Sequence, residues 1–260
     1  SATTTATSTR PCRSYGDKMG LDITVGVLSD LLANDLEGAD HVRQEFQATA
    51  EAMTAAGLAP HREPADADVW SASGYGYTGL HALREVAGLI WLGKPIPLDR
   101  IITGQDTPAA DALFNAALAA ATGQLRPRGL LDRLLGRSPV AEPLPPFIHL
   151  VMHSDAQGYY VPTDFAVPVI PAAMAEDMAH LWPLGSVQQL AAELATIAAV
   201  LELPANPPSA DDVLERYLEQ DSRPAQVAPW QAQPVATYSL LILRAACDWS
   251  QRTGAAIYFG

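Results

Sequence analysis

The stretch from Phe147 to Phe165 limits what this chain can fold into more than any other. It reads Phe-Ile-His-Leu-Val-Met-His-Ser-Asp-Ala-Gln-Gly-Tyr-Tyr-Val-Pro-Thr-Asp-Phe. Ile148 to Met152 is apolar apart from His149, and Asp155-Ala156-Gln157-Gly158 has the acid-first, glycine-last composition of a turn. Tyr159-Tyr160-Val161 resumes with strong β-formers, and Pro162 stops the ladder. The pattern predicts an antiparallel hairpin over Phe147–Val161 with its turn at Asp155–Gly158. A buried hairpin needs further strands and a covering layer, so the rest of the chain has to supply both.

The remaining segments supply them irregularly. Leu21–Leu28 is rich in β-branched residues and reads as a first strand, Val69 and Trp70 as a short one, and Ala255–Phe259 as a closing one. Helical spacing of apolar residues predicts a helix over Glu37–Ala56 through Val42, Phe46, Ala50 and Met53, stopped by Gly57. A second follows Thr78 with Leu80, Leu83, Val86 or Ala87, and Ile90 inward, and ends near Gly93. A third runs from Thr107-Pro108 to Gly123 on Leu113, Ala117 and Ala121, with Phe114 and Leu118 beside them. Ser186 and Gln189 form a capping box ahead of Leu190, Leu194, Ile197 and Leu201. Ser209 heads a short acidic helix to about Glu219, and Thr237–Arg252 is a last helix through Leu241, Ala245 and Trp249. With no repeat and no run of βαβ units, the fold class is α+β: a small, mainly antiparallel sheet around a central hairpin, packed by several amphipathic helices.

Residues 19–260 are expected to form one such domain. Ser1–Lys18 is rich in Ser and Thr and reads as a flexible extension, with Met19 as a plausible start. Residues 124–146 hold Arg126, Arg128, Arg133 and Arg137 among prolines and read as an exposed insertion. The net charge of −13 argues against nucleic acid and anionic membranes as partners and favours a basic protein. Cys12 and Cys247 differ in character and cannot build a disulfide framework, so a cytoplasmic location fits. No apolar run reaches the roughly 18 residues that a spanning helix needs.

Two stretches carry the polar chemistry. Gly74, Gly76 and Gly79 satisfy G-x-G-x-x-G ahead of a helix, but Asp66 and Asp68 make the preceding segment too polar for a central parallel strand, and Tyr75 and Tyr77 are bulky where backbone should meet phosphate. A weaker possibility keeps the N–H groups of Thr78 to His81 as an anion holder, with His81 bonding Glu85 one turn on. On a strand, His149 and His153 would stand roughly 13 Å apart at about 3.3 Å per residue, too far to share a metal. No zinc and no cofactor is expected. His153, Ser154 and Asp155 name a triad, but neighbours on a strand face opposite ways. His153 remains the candidate general base with Asp164, against the plainer reading in which Ser154 and Asp155 bond the turn backbone. In each of the pairs Tyr75/Tyr77 and Tyr159/Tyr160, one ring is expected inward and one exposed. The candidate binding set is therefore Tyr75, Tyr77, Thr78, His81, His153, Ser154, Asp155, Tyr159, Tyr160 and Asp164, with the two stretches side by side.

The segments Met19-Gly20-Leu21-Asp22-Ile23-Thr24-Val25-Gly26-Val27-Leu28, Tyr75-Gly76-Tyr77-Thr78-Gly79-Leu80-His81 and His153-Ser154-Asp155-Ala156-Gln157-Gly158-Tyr159-Tyr160-Val161-Pro162 resemble those of a family of uncharacterised bacterial proteins. That resemblance implies no activity. In size and acidity alone the chain is also similar to immunity proteins that neutralise bacterial toxins. The functional expectation is a soluble cytoplasmic protein-binding protein of immunity-inhibitor type. The alternative is a small-molecule-binding protein or hydrolase using the 153–160 end and the 74–81 loop.

Overall fold

The computed structural model describes residues 21–73, 76–125, 144–171, 183–219 and 227–260. The expected flexible extension, the central part of the 124–146 insertion and Tyr75 lie outside them.

Five strands form one sheet in the order β2-β1-β5-β3-β4: β1 Asp22–Val25, β2 Trp70–Ser73, β3 Gly158–Val161, β4 Gly185–Ser186 and β5 Ile257–Phe259. Every pairing is antiparallel except β3 with β4. Strand β5, the end of the chain, sits between β1 and β3, with Thr24 opposite Tyr258 and Tyr159 opposite Tyr258. The fold is α+β with a mainly antiparallel sheet, as the pattern predicted.

Both faces of the sheet are covered. On one side lie α1 Val27–Asn34 and α2 Leu36–Ala55, which bury Val42, Phe46 and Met53 against Tyr159, Val161 and Ala256. On the other lie α3 Gly76–Trp91, α4 Pro108–Leu125, α5 Ile148–Met152, α6 Val187–Val200 and α9 Pro234–Thr253, around Leu83, Leu113, Leu150, Leu194 and Leu240. Two further helices, α7 Ala210–Glu219 and the short α8 Pro229–Ala232, pack on α9. Period 2 then fixes the tyrosines: Tyr159 faces the α2 core and Tyr160 faces the α3–α6 core, so both are buried. The expectation of one exposed ring in that pair fails because this strand has no solvent face.

The hairpin is the main correction. Ile148–Met152 is a helix, and β3 finds its antiparallel partner in β5, about a hundred residues away in sequence. Five residues are far too few for a helix to persist by propensity. Tertiary contacts hold it instead. Phe147 enters it with φ 64. Glu193 on α6 accepts the N–H groups of His149 and Leu150 at 2.9 and 2.8 Å. Arg84 on α3 donates to the carbonyls of Leu150 and His153 at 2.9 and 2.6 Å. All five residues are buried, so no periodicity existed to separate helix from strand.

Elsewhere the expected helices stand. Ser186 caps α6 by accepting from the Gln189 N–H, and Leu190, Leu194, Ile197 and Leu201 are fully buried. On α9 the buried stripe runs through Leu240, Leu243, Ala246 and Cys247, one position round from the predicted Leu241, Ala245 and Trp249.

Candidate functional site

Arg84 and Glu85 are consecutive on α3, both buried, and each secures the end of a different helix. Glu85 accepts the N–H groups of Ala109 and Ala110, both at 2.9 Å, at the head of α4. Glu85 therefore does not serve His81 one turn away, as expected, because the orphan N–H groups of α4 claim it. Arg84 closes the tail of α5 and reaches on to the Asp155 carboxylate through Nη1. His81, one turn before Glu85, bonds the other carboxylate oxygen, with Nε2 to Oδ2 at 2.7 Å. The start of α3 and the 153–156 turn thus meet at Asp155, gripped by two side chains of α3.

The grip sets the charges. Burial alone would raise the Asp155 carboxyl, but the His81 hydrogen bond and the Arg84 charge outweigh it and hold the group down at about 2. The hydrogen bond to Asp155 raises His81, against partial desolvation, and a backbone bond to Gly104 favours the protonated ring further. Gly104 has φ +76, and a Cβ there would lie 2.2 Å from the Thr78 carbonyl oxygen. Only glycine lets this loop press on the first turn of α3. The fully buried Gln233 anchors the same loop by accepting from the Ile102 N–H at 2.8 Å and donating to the Arg100 carbonyl at 2.9 Å.

His153 is not placed to act as a base. Its Nδ1 donates to the Ser154 carbonyl at 2.8 Å, and its ring stacks on Tyr160 at 4.0 Å and 10°. Burial drives its pKa down to about 3, so it is neutral at ordinary pH, and the remaining Nε2 is enclosed and unpartnered. His149 lies on α5 and His153 is the extended residue that ends it, so the strand-spacing argument against a shared metal lapses. What separates the two rings is their partners: His149 Nδ1 accepts the Ser186 N–H at 3.0 Å. Among the described residues no group of three or more His, Cys, Asp and Glu could hold a metal ion.

The other candidate residues disperse. Ser154 Oγ accepts the Ala156 N–H at 3.2 Å, the plain turn role. Tyr159 donates to Glu45 on α2, and Tyr160 to the His149 carbonyl at 3.1 Å. Asp164 accepts from Gln189 at the head of α6. Tyr77 is 44 % exposed on α3. Of the expected set, the structure joins His81 to Asp155 directly, with Ser154 and His153 alongside. Arg84, which binds the group together, was missed; the only signal was a cation on an apolar helix stripe, and its partners lie 66 residues and more away.

Beside this cluster opens a cleft of about 650 Å³, lined by His81, Arg84, Asp111, Phe114, Leu118, Met152, Asp155 and Ile170 among others. Exposed carboxylates lie along two of the outer helices. Glu37, Asp40 and Glu51 lie along α2, and Asp211, Asp212 and Glu215 project from α7 while Val213 is buried. Among the described residues, arginine or lysine bridges a carboxylate only at Arg43–Asp40 and Arg84–Asp155. Most of the exposed carboxylates among the described residues therefore have no arginine or lysine bridging them.

A family model described as "Putative DNA-mimic protein" matches residues 19–259. The chain belongs to this family. No curated protein and no solved structure matches it, so the likeness to toxin-neutralising proteins rests on size and charge alone. The net charge is −13, and no helix among the described residues is long and apolar enough to cross a membrane.

Proposed function

We propose that this protein binds a basic, DNA-binding protein through its acidic surface, in place of DNA. The family match over residues 19–259 carries the reading. The surface supplies a physical means. On α7, Asp211, Asp212 and Glu215 span about 6 Å of helix axis at about 1.5 Å per residue. Three phosphates of one DNA strand span about 7 Å at about 3.4 Å each. The two end-to-end lengths are alike, so a cationic groove that spans three phosphates can span these carboxylates. The net charge of −13 speeds encounter with such a partner and makes the complex salt-sensitive. A cytoplasmic location goes with this reading. An immunity-type inhibitor would be one special case, in which the partner is a DNA-cleaving toxin, and no comparison favours it.

Competition tests the reading. Purified basic DNA-binding proteins, some using a helix in the major groove and others a β-ribbon, are bound to labelled duplex DNA and titrated with this protein while anisotropy is followed. Displacement of DNA from at least one of them is expected, weakening by about tenfold or more between low and physiological salt. Two variants locate the surface: Asp211→Asn with Glu215→Gln on α7, and Glu37→Gln with Glu51→Gln on α2. Failure to displace DNA from any of these proteins, or displacement that ignores salt, would refute it.

A further inference from the structure

We propose that the cleft between α3, α4 and the 151–156 segment is a binding site for a small amphipathic cation: an apolar body carrying a primary ammonium or guanidinium head. At about 650 Å³ the cleft falls within the roughly 300–1,000 Å³ of small-molecule sites. Its long wall is apolar. Phe114 and Leu118, one turn apart on α4, are 41 % and 38 % exposed, although large side chains on a packed helix are normally covered. Met152 and Ile170 also line the space.

The head group follows from a count of donors and acceptors at the mouth. Most of the strong donors are committed. Arg84 is buried and directs Nε, Nη1 and Nη2 to Leu150, Asp155 and His153. His81 commits Nε2 to Asp155 and bonds the Gly104 backbone as well. The acceptors are not spent. A carboxylate offers about four lone-pair positions. Each Asp155 oxygen accepts one bond, from His81 or from Arg84, and the side chain is still 39 % exposed. Asp111, exposed in the first turn of α4, adds a second carboxylate to the lining. A ligand carboxylate would meet two like charges, with the Ser154 and Thr107 hydroxyls as the further donors of the lining, whereas an ammonium meets two carboxylates. The protein's overall negative charge raises the local concentration of such cations. Because Asp155 is already fixed from two sides, binding costs little further ordering. This site is independent of the DNA-mimic surface.

The test uses the full chain and four simple probes: hexylamine and 2-phenylethylamine against hexanoate and 3-phenylpropionate of matched size. Binding is followed by amide chemical shifts and by calorimetry at neutral pH. The amines are expected to bind saturably, with shifts confined to residues of the cleft, and the matched acids at least about tenfold more weakly. Phe114→Arg changes an exposed residue, so the fold should survive, and it should abolish amine binding. Asp111→Asn should weaken it several-fold without touching the Arg84–Asp155 pair. Acids binding as tightly as amines, amine binding that survives Phe114→Arg, or no binding by either amine would each overturn the proposal.

Discussion

At the scale of the residue, Asp155 and the buried histidines set the pH response. The Asp155 pKa is depressed to about 2, so its stabilisation is complete above the ordinary carboxylate value of about 3.9 and fades as pH falls through about 2. The His81 pKa is raised, so its contribution is complete below about 6.5 and is lost as pH rises through the raised value. Asp155→Asn should therefore cost about 1–3 kcal/mol at neutral pH, discounted for partial exposure, and should remove the loss of stability above pH about 6.5. His149 and His153 work the other way. Burial lowers them to about 4 and about 3, so the stability tied to their neutral rings is present above about 6.5 and falls away as pH drops below it. His153→Ala should lose about 2–4 kcal/mol from the stack on Tyr160. His153→Phe should keep most of the stack and shallow the acid limb. Urea titrations of these variants at stepped pH measure all of this; an unchanged acid limb in His153→Phe would contradict the assignment.

At the scale of the element, helix ends are secured from a distance. Helix α5 holds because Glu193 satisfies its first N–H groups and Arg84 its last carbonyls. A peptide of residues 144–162 should show no helical circular dichroism, since five residues cannot nucleate alone. Glu85→Ala should cost about 2–4 kcal/mol, because it strands two buried N–H groups at the head of α4. Gly104→Ala should cost a similar amount, about 2–4 kcal/mol, by forcing a side chain into the left-handed region and against the Thr78 carbonyl. Chemical denaturation reads both, and an effect below about 0.5 kcal/mol for either would show that the loop or helix shifts freely.

At the scale of the whole molecule, the charge is a liability for the fold and an asset for encounter. Exposed carboxylates with few basic neighbours repel one another. Replacing Asp211 and Glu215 by their amides should leave the melting temperature at low salt unchanged or a few degrees higher, since a gain of about 1 kcal/mol shifts a domain of this size by only about 2–4 °C. The same pair of changes should weaken any salt-sensitive complex formed through α7. A clear fall in melting temperature would instead mean that these side chains hold the helix in place.

The sequence by itself determined the fold class, the main helices and the helix stops, because each depends on neighbours three, four or seven residues away. The Ser186 cap, the buried stripe of α6 and the closing strand at Ile257–Phe259 are of this kind. It also set the 74–81 loop beside the 153–160 end, and His81 does bond Asp155. What it could not supply was any contact fixed by the far end of the chain. Ile148–Met152 has no polar face, so its state depended on whether a strand partner or helix caps reached it first, and Arg84 and Glu193 reached it. Tyr159 and Tyr160 are both buried only because helices cover both faces of β3. His153 carries the residue type of a catalytic base, yet the ring of Tyr160 and the loss of water around it leave it neutral and enclosed. Burial and long-range hydrogen bonding decide such cases, and both belong to the tertiary structure.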